Sequence, residues 1–99
     1  MIYSTLQKTK LPCAYSHFVE KVDLPYIVYI GSGQDTFGAD NTWTYRNNKY
    51  QVEYYFKIKN TAAEAAIEEA LLAAGYRFTC SEDIYLDDED VFVKYYYTS

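Results

Sequence analysis

A single histidine, His17, two cysteines, Cys13 and Cys80, and the tyrosines are the residues of this 99-residue chain from which a catalytic site could be assembled. A catalytic His17 would need an orienting acid and a nucleophile within hydrogen-bond reach, and no motif supplies them. Neither Cys80 nor His17 sits in a nucleophile elbow or a comparable turn. The sequence therefore predicts a surface imidazole, and two small buried thiols that stay unpaired in a reducing compartment. Gly31-Ser-Gly-Gln-Asp35 follows a strand, where phosphate-binding loops lie. It lacks the Lys-Ser/Thr pair and the following helix that such a loop needs. The run from Asp83 to Asp90 offers carboxylates but neither the alternating acids nor the central glycine of a calcium loop. No catalytic residue, cofactor site or metal site is predicted.

Two other features stand out. Glu82, Asp83, Asp87, Asp88, Glu89 and Asp90 crowd one ten-residue segment without a base among them, in a chain of net charge −5. Such a balance lacks the cationic footprint of a protein that grips nucleic acid, so no tight binding of that kind is expected. The second feature is the thirteen tyrosines. Aromatic side chains with a polar tip tolerate water and give large contact area on assembly, which makes a tyrosine-rich surface suited to protein contact.

These residues must be positioned by a small number of elements. With 49% hydrophobic and 23% charged residues the chain is globular, and its length fits one domain, 1–99. No apolar run reaches the roughly 20 residues needed to span a bilayer. The N-terminus lacks the basic and apolar regions of a secretory signal, which predicts synthesis in a cytoplasm. Ile2 and Leu6 are spaced for a short N-terminal helix, and Pro12 opens an extended segment to Phe18. Tyr26-Ile-Val-Tyr-Ile30 reads as a buried strand between Pro25 and Gly31. A long loop is predicted from Gly31 to Asn41, with Phe37 as its only large apolar group. Thr42 to Lys49 onward reads as a hairpin turning at Asn47-Asn48.

In Tyr50-Gln-Val-Glu-Tyr-Tyr-Phe-Lys-Ile-Lys59 the alternation assigns Tyr50, Val52, Tyr54, Phe56 and Ile58 to the core. Thr61 and Glu64 match a capping box and Gly75 a left-handed C-terminal cap, predicting a helix over about 62–74. Ala63, Ile67, Ala70, Leu71 and Ala74 would lie on the sheet, with Glu64, Glu68 and Glu69 toward water. Tyr76, Phe78 and Cys80 form an inward set, and Val91 to Tyr97 is the last strand. The expected fold is α+β: a mixed or mainly antiparallel sheet of about four to six strands, with one main helix on one face and a possible short N-terminal helix. One helix covers one face. Tyr55 and Tyr96 are expected to point away from the faces carrying Tyr54 and Tyr95, leaving aromatic rings on an uncovered side.

Three stretches together carry a resemblance: Tyr29-Ile-Gly-Ser-Gly-Gln-Asp-Thr-Phe-Gly-Ala-Asp-Asn-Thr42, Tyr50-Gln-Val-Glu-Tyr-Tyr-Phe-Lys57, and Ser81-Glu-Asp-Ile-Tyr85 with Val91-Phe-Val93 and Tyr95-Tyr-Tyr97. From about Leu11 to the C-terminus the chain resembles short proteins of the head-tail joining clusters of long-tailed phages and prophages of Gram-positive bacteria. The resemblance implies a tail terminator or tail-to-head joining protein, a small α+β subunit of a homo-oligomeric ring, typically a hexamer. Its place would be the virion, at the head-tail junction, with other tail or connector proteins as partners and no catalytic residues. Phe37, Tyr55 and Tyr96 are then the expected protein contacts, and Asp87, Asp88, Glu89 and Asp90 an acidic patch on the lumen or outer surface. A small acidic protein-binding or inhibitory module, acting as monomer or dimer, is the competing expectation.

Overall fold

A computed structural model describes residues 2–36 and 46–98 of the chain. Two helices and six strands follow in the order α1 (Ile2–Gln7), β1 (Cys13–Tyr15), β2 (Tyr26–Thr36), β3 (Arg46–Phe56), α2 (Thr61–Ala73), β4 (Phe78–Cys80), β5 (Ile84–Leu86) and β6 (Val91–Thr98). The sheet runs β1-β2-β3-β6-β4, and β5 also pairs with β6, so that β4 and β5 share one side of that strand. β1 and β2 are parallel and every other pair is antiparallel, which makes the sheet mixed.

The central ladder is built by the alternation of β3. Val52, Tyr54 and Phe56 are buried, and register brings Tyr54 opposite Ile27 of β2 and Val52 opposite Tyr96 of β6. These residues join Ile2 and Leu6 of α1 and Ile67 and Leu71 of α2 in one core cluster. Both helices therefore lie on the same face of the sheet. Ile58, expected in the same core set, is 80% exposed because the strand ends at Phe56 and the period-2 alternation ends with it.

Helix α2 starts one residue earlier and is capped differently from the sequence expectation. Asn60 is the N-cap, with extended φ and ψ, and its Oδ1 accepts from the amides of Ala62 and Ala63 at 3.1 and 3.2 Å. That satisfies two otherwise orphaned amides, so Thr61 becomes the first helical residue instead of the cap. The other end is as predicted. Gly75 has φ of +89°, the Tyr76 amide donates to Leu71 and the Gly75 amide to Leu72, which is the Schellman pattern. Tyr76 also packs against the core cluster to which Leu71 belongs, which directs the chain toward β4. Ala74, expected on the sheet, is exposed.

The segment expected to be a loop from Gly31 to Asn41 is strand as far as Thr36. β2 continues to Thr36 through an irregularity between Gly31 and Gly33, where Ser32 is the extra residue. Glycine at a bulge relieves the side-chain crowding that the kink would create. Asn47 and Asn48, expected at a turn, are paired in β3 with Asp35 and Gln34. Phe37 and the other residues between the two strands, 38–45, lie outside the described residues. β6 pairs with β3 only from Gln51 to Phe56, and β1 with β2 only from Ile27 to Tyr29. Gly33–Thr36 and Arg46–Lys49 thus form a two-stranded arm beyond the sheet, in a molecule measuring 48 × 25 × 25 Å.

Candidate self-association surface

Register and alternation assign Tyr26 and Val28 of β2, Glu53 and Tyr55 of β3, and Val93, Tyr95 and Tyr97 of β6 to the face that carries neither helix. Tyrosine rings shield this face themselves. Tyr26 and Tyr55 approach to 5.2 Å between centroids, Phe18 lies 5.2 Å from Tyr26, and Tyr95 stacks on Tyr97 at 6.1 Å. Beneath them Val28 and Val93 are buried, while Tyr97 at the margin stays 41% exposed.

One carboxylate is held within this face. The Tyr55 hydroxyl donates to Glu53 Oε1 at 2.6 Å, and Gln51 Nε2 donates to Glu53 Oε2 at 2.9 Å. Burial, then the hydrogen bond to Glu53, pushes the Tyr55 phenol well above its ordinary range. A neutral donor on a fixed carboxylate makes a polar spot with defined geometry inside an apolar surround, which is what orients two surfaces as they dock.

Of the expected contact residues, Tyr55 lies on this face and Tyr96 does not. Tyr96 is fully buried on the helix side, where its hydroxyl donates to Glu68 Oε2 at 3.0 Å and Lys94 Nζ lies 5.5 Å from its ring centroid. Tyr95 and Tyr97 take the place that sequence alternation assigned to Tyr96. The reason is the register: Val52 opposite Tyr96 fixes Tyr96 to the core side, and its neighbours follow on the other.

The acidic segment is divided by its partners. Asp90 accepts from Lys57 Nζ and from the Tyr85 hydroxyl, and these bonds, with Lys57 the larger influence, hold its carboxyl below the usual carboxylate range. Asp83 pairs with Lys59 at 2.9 Å. Glu82, Asp87, Asp88 and Glu89 are exposed and make no ion pair among the described residues. A cleft of about 580 Å³ opens between this turn and the connector from Ser16 to Val22, with Tyr26, Tyr55 and Lys57 on its walls. No group of three or more histidine, cysteine, aspartate or glutamate residues fit for a metal ion occurs among the described residues.

The groups considered for catalysis are kept apart. His17 is exposed, with Nδ1 3.2 Å from Ser16 Oγ, in the connector that follows β1. Cys80 is in β4 at the far end of the strand order, four inter-strand spacings or about 19 Å from β1. Both cysteines are free thiols. Cys13 is half-buried and Cys80 exposed, against the expectation that both are buried; Cys80 lies on an edge strand, with a strand neighbour on one side only among the described residues.

Sequence reasoning missed one polar cluster altogether. Glu64, expected to face water, is 5% exposed and bridges Lys59 at 2.8 Å and Lys94 at 3.0 Å. The signal was Lys94, which β6 alternation puts on the same side as Phe92 and Tyr96. A lysine on an apolar face requires a partner. No protein-family model matches the chain, and no curated protein is similar enough in sequence to count as a match. No described helix is long and apolar enough to cross a membrane.

Proposed function

We propose that this chain is a structural subunit of the head-tail junction of a long-tailed phage, a tail terminator or tail-to-head joining protein that closes into a ring on the tail tube. The observation that carries the reading is the two-sided sheet: both helices cover one face and a tyrosine-surfaced face remains on the other. The arm supports it. A two-stranded ribbon is marginal in water by itself, and along the arm neither of its strands has a further strand partner among the described residues, so it gains stability by meeting a neighbour. The phage context comes from the sequence resemblance, and the ring follows from that role.

The test is the mass in solution across a concentration series, by native mass spectrometry or light scattering. A closed multimer near six subunits is expected. Tyr95→Ser with Tyr97→Ser should weaken association at least tenfold while circular dichroism stays that of the parent chain. A chain that stays monomeric or dimeric at every concentration, and instead captures a basic protein, would point to the small acidic binding module.

A further inference from the structure

The two lateral edges of the sheet are unlike. At one end of the strand order lies β1, with α1 packed against it on the helix-bearing face. From α1 through β1, residues 2–15, the chain carries Lys8 and Lys10 and no carboxylate; the connector that follows, part of which lines the cleft beside Glu89, holds Glu20, Lys21 and Asp23. Lys8 and Lys10 are exposed and without an ion pair among the described residues, and Tyr3 and Tyr15 of the same segment are 43% and 60% exposed. At the other end β4 and β5 lie end to end along β6. Ile84 and Tyr85 are exposed there, among the unpaired carboxylates of Glu82, Asp87, Asp88 and Glu89. The asymmetry extends through the chain: residues 1–59 hold seven basic and five acidic side chains, residues 60–99 two and nine.

We infer that the partner at each edge is a second copy of this chain, with the α1–β1 edge of one subunit set against the β4–β5 edge of the next. This rests on the self-assembly reading above and adds which surfaces meet. Both edges combine exposed apolar side chains with charge, and the charges are opposite, so the surface that complements each edge is carried by the same molecule. Two acidic edges facing each other would bring like charges together, which opposes a symmetric edge-to-edge dimer. An unlike pairing is heterologous, and a heterologous contact either closes into a ring or continues as a filament. The edge strands β1, β4 and β5 have no further strand partner among the described residues, so their free backbone groups are open to sheet extension across the contact.

A charge swap tests this on the full chain. Variant one carries Lys8→Glu and Lys10→Glu, and variant two carries Asp87→Lys, Asp88→Lys and Glu89→Lys, each checked for native circular dichroism. Each alone should associate at least tenfold more weakly than the parent, since its two edges no longer differ in sign. An equimolar mixture should recover multimers containing both variants in equal numbers, because each reversed edge then meets its match. Association of the parent should also weaken as salt rises from 0.1 to 1 M, over which the screening length falls from about 10 to about 3 Å. Should either reversal unfold the chain, Lys8→Gln with Lys10→Gln and Asp87→Asn with Asp88→Asn give the same readout with a smaller expected effect. Folded variants that assemble like the parent, as they would if the acidic turn faced the lumen, overturn the edge pairing and leave self-assembly standing. Absence of recovery in the mixture also overturns it. A parent chain monomeric at every concentration overturns both readings.

Discussion

Glu64 is the buried charged residue that ties α2 to the sheet. Its carboxylate is nearly enclosed and serves Lys59 from the end of β3 and Lys94 from β6, whose side chain is only 14% exposed. Glu64→Gln leaves the Lys94 ammonium in an apolar setting without a countercharge, and removing one partner of a buried pair costs about 3 kcal/mol. Lys59 is half exposed, so Lys59→Gln should cost no more than about 1 kcal/mol. Urea denaturation of the two variants side by side checks the ordering, and equal midpoints would show that Glu64 is solvated.

At the scale of the element, α2 is held at both ends by backbone chemistry independent of the core. Loss of the Asn60 side chain in Asn60→Ala strands two amides, for an expected cost of about 1 kcal/mol. A Cβ added at Gly75 meets no atom within 4 Å, so any penalty in Gly75→Ala comes from its φ of +89° alone. About 1 kcal/mol is expected, and Gly75→Asn should recover part of it because asparagine tolerates the left-handed region. Thermal melts would show this order, and a Gly75→Ala chain as stable as the parent would mean that the cap is not formed.

Across the whole molecule the tyrosines set the response to alkali. Burial is the main influence raising the phenols of Tyr26, Tyr29, Tyr54, Tyr55, Tyr76, Tyr95 and Tyr96, and a hydrogen bond to Asp90 raises Tyr85. A raised folded-state value means that the folded chain holds the proton more tightly than the unfolded chain. Stability from these groups is therefore full below the free phenol value of about 10 and is lost as pH rises above it. Thermal stability should hold up to about pH 9 and fall steeply beyond about pH 10. Tyrosinate absorbance should rise with the loss of circular dichroism, and a smooth titration of all tyrosines in the folded state would contradict the packing.

What the sequence determined by itself was local. The period-2 run of β3, the strand from Tyr26 to Ile30, and a helix ended by Gly75 were legible because each is written in neighbouring residues, and together they required an α+β fold. Decisions that depend on a partner strand were not legible. In β6 both alternating sets are apolar enough to face a core, and the lysine at Lys94 argues against the set that is in fact buried. Pairing with β3 settles it, burying Tyr96 and turning Tyr95 and Tyr97 outward. The extension of β2 through its glycines and the pairing of Asn47 and Asn48 were hidden for the same reason, since a polar ladder leaves no hydrophobic period to read. Tertiary structure alone enclosed Glu64 between two lysines and set a lysine-bearing edge opposite a carboxylate-bearing one, because charges distant in sequence acquire a common surface only when strand order is fixed.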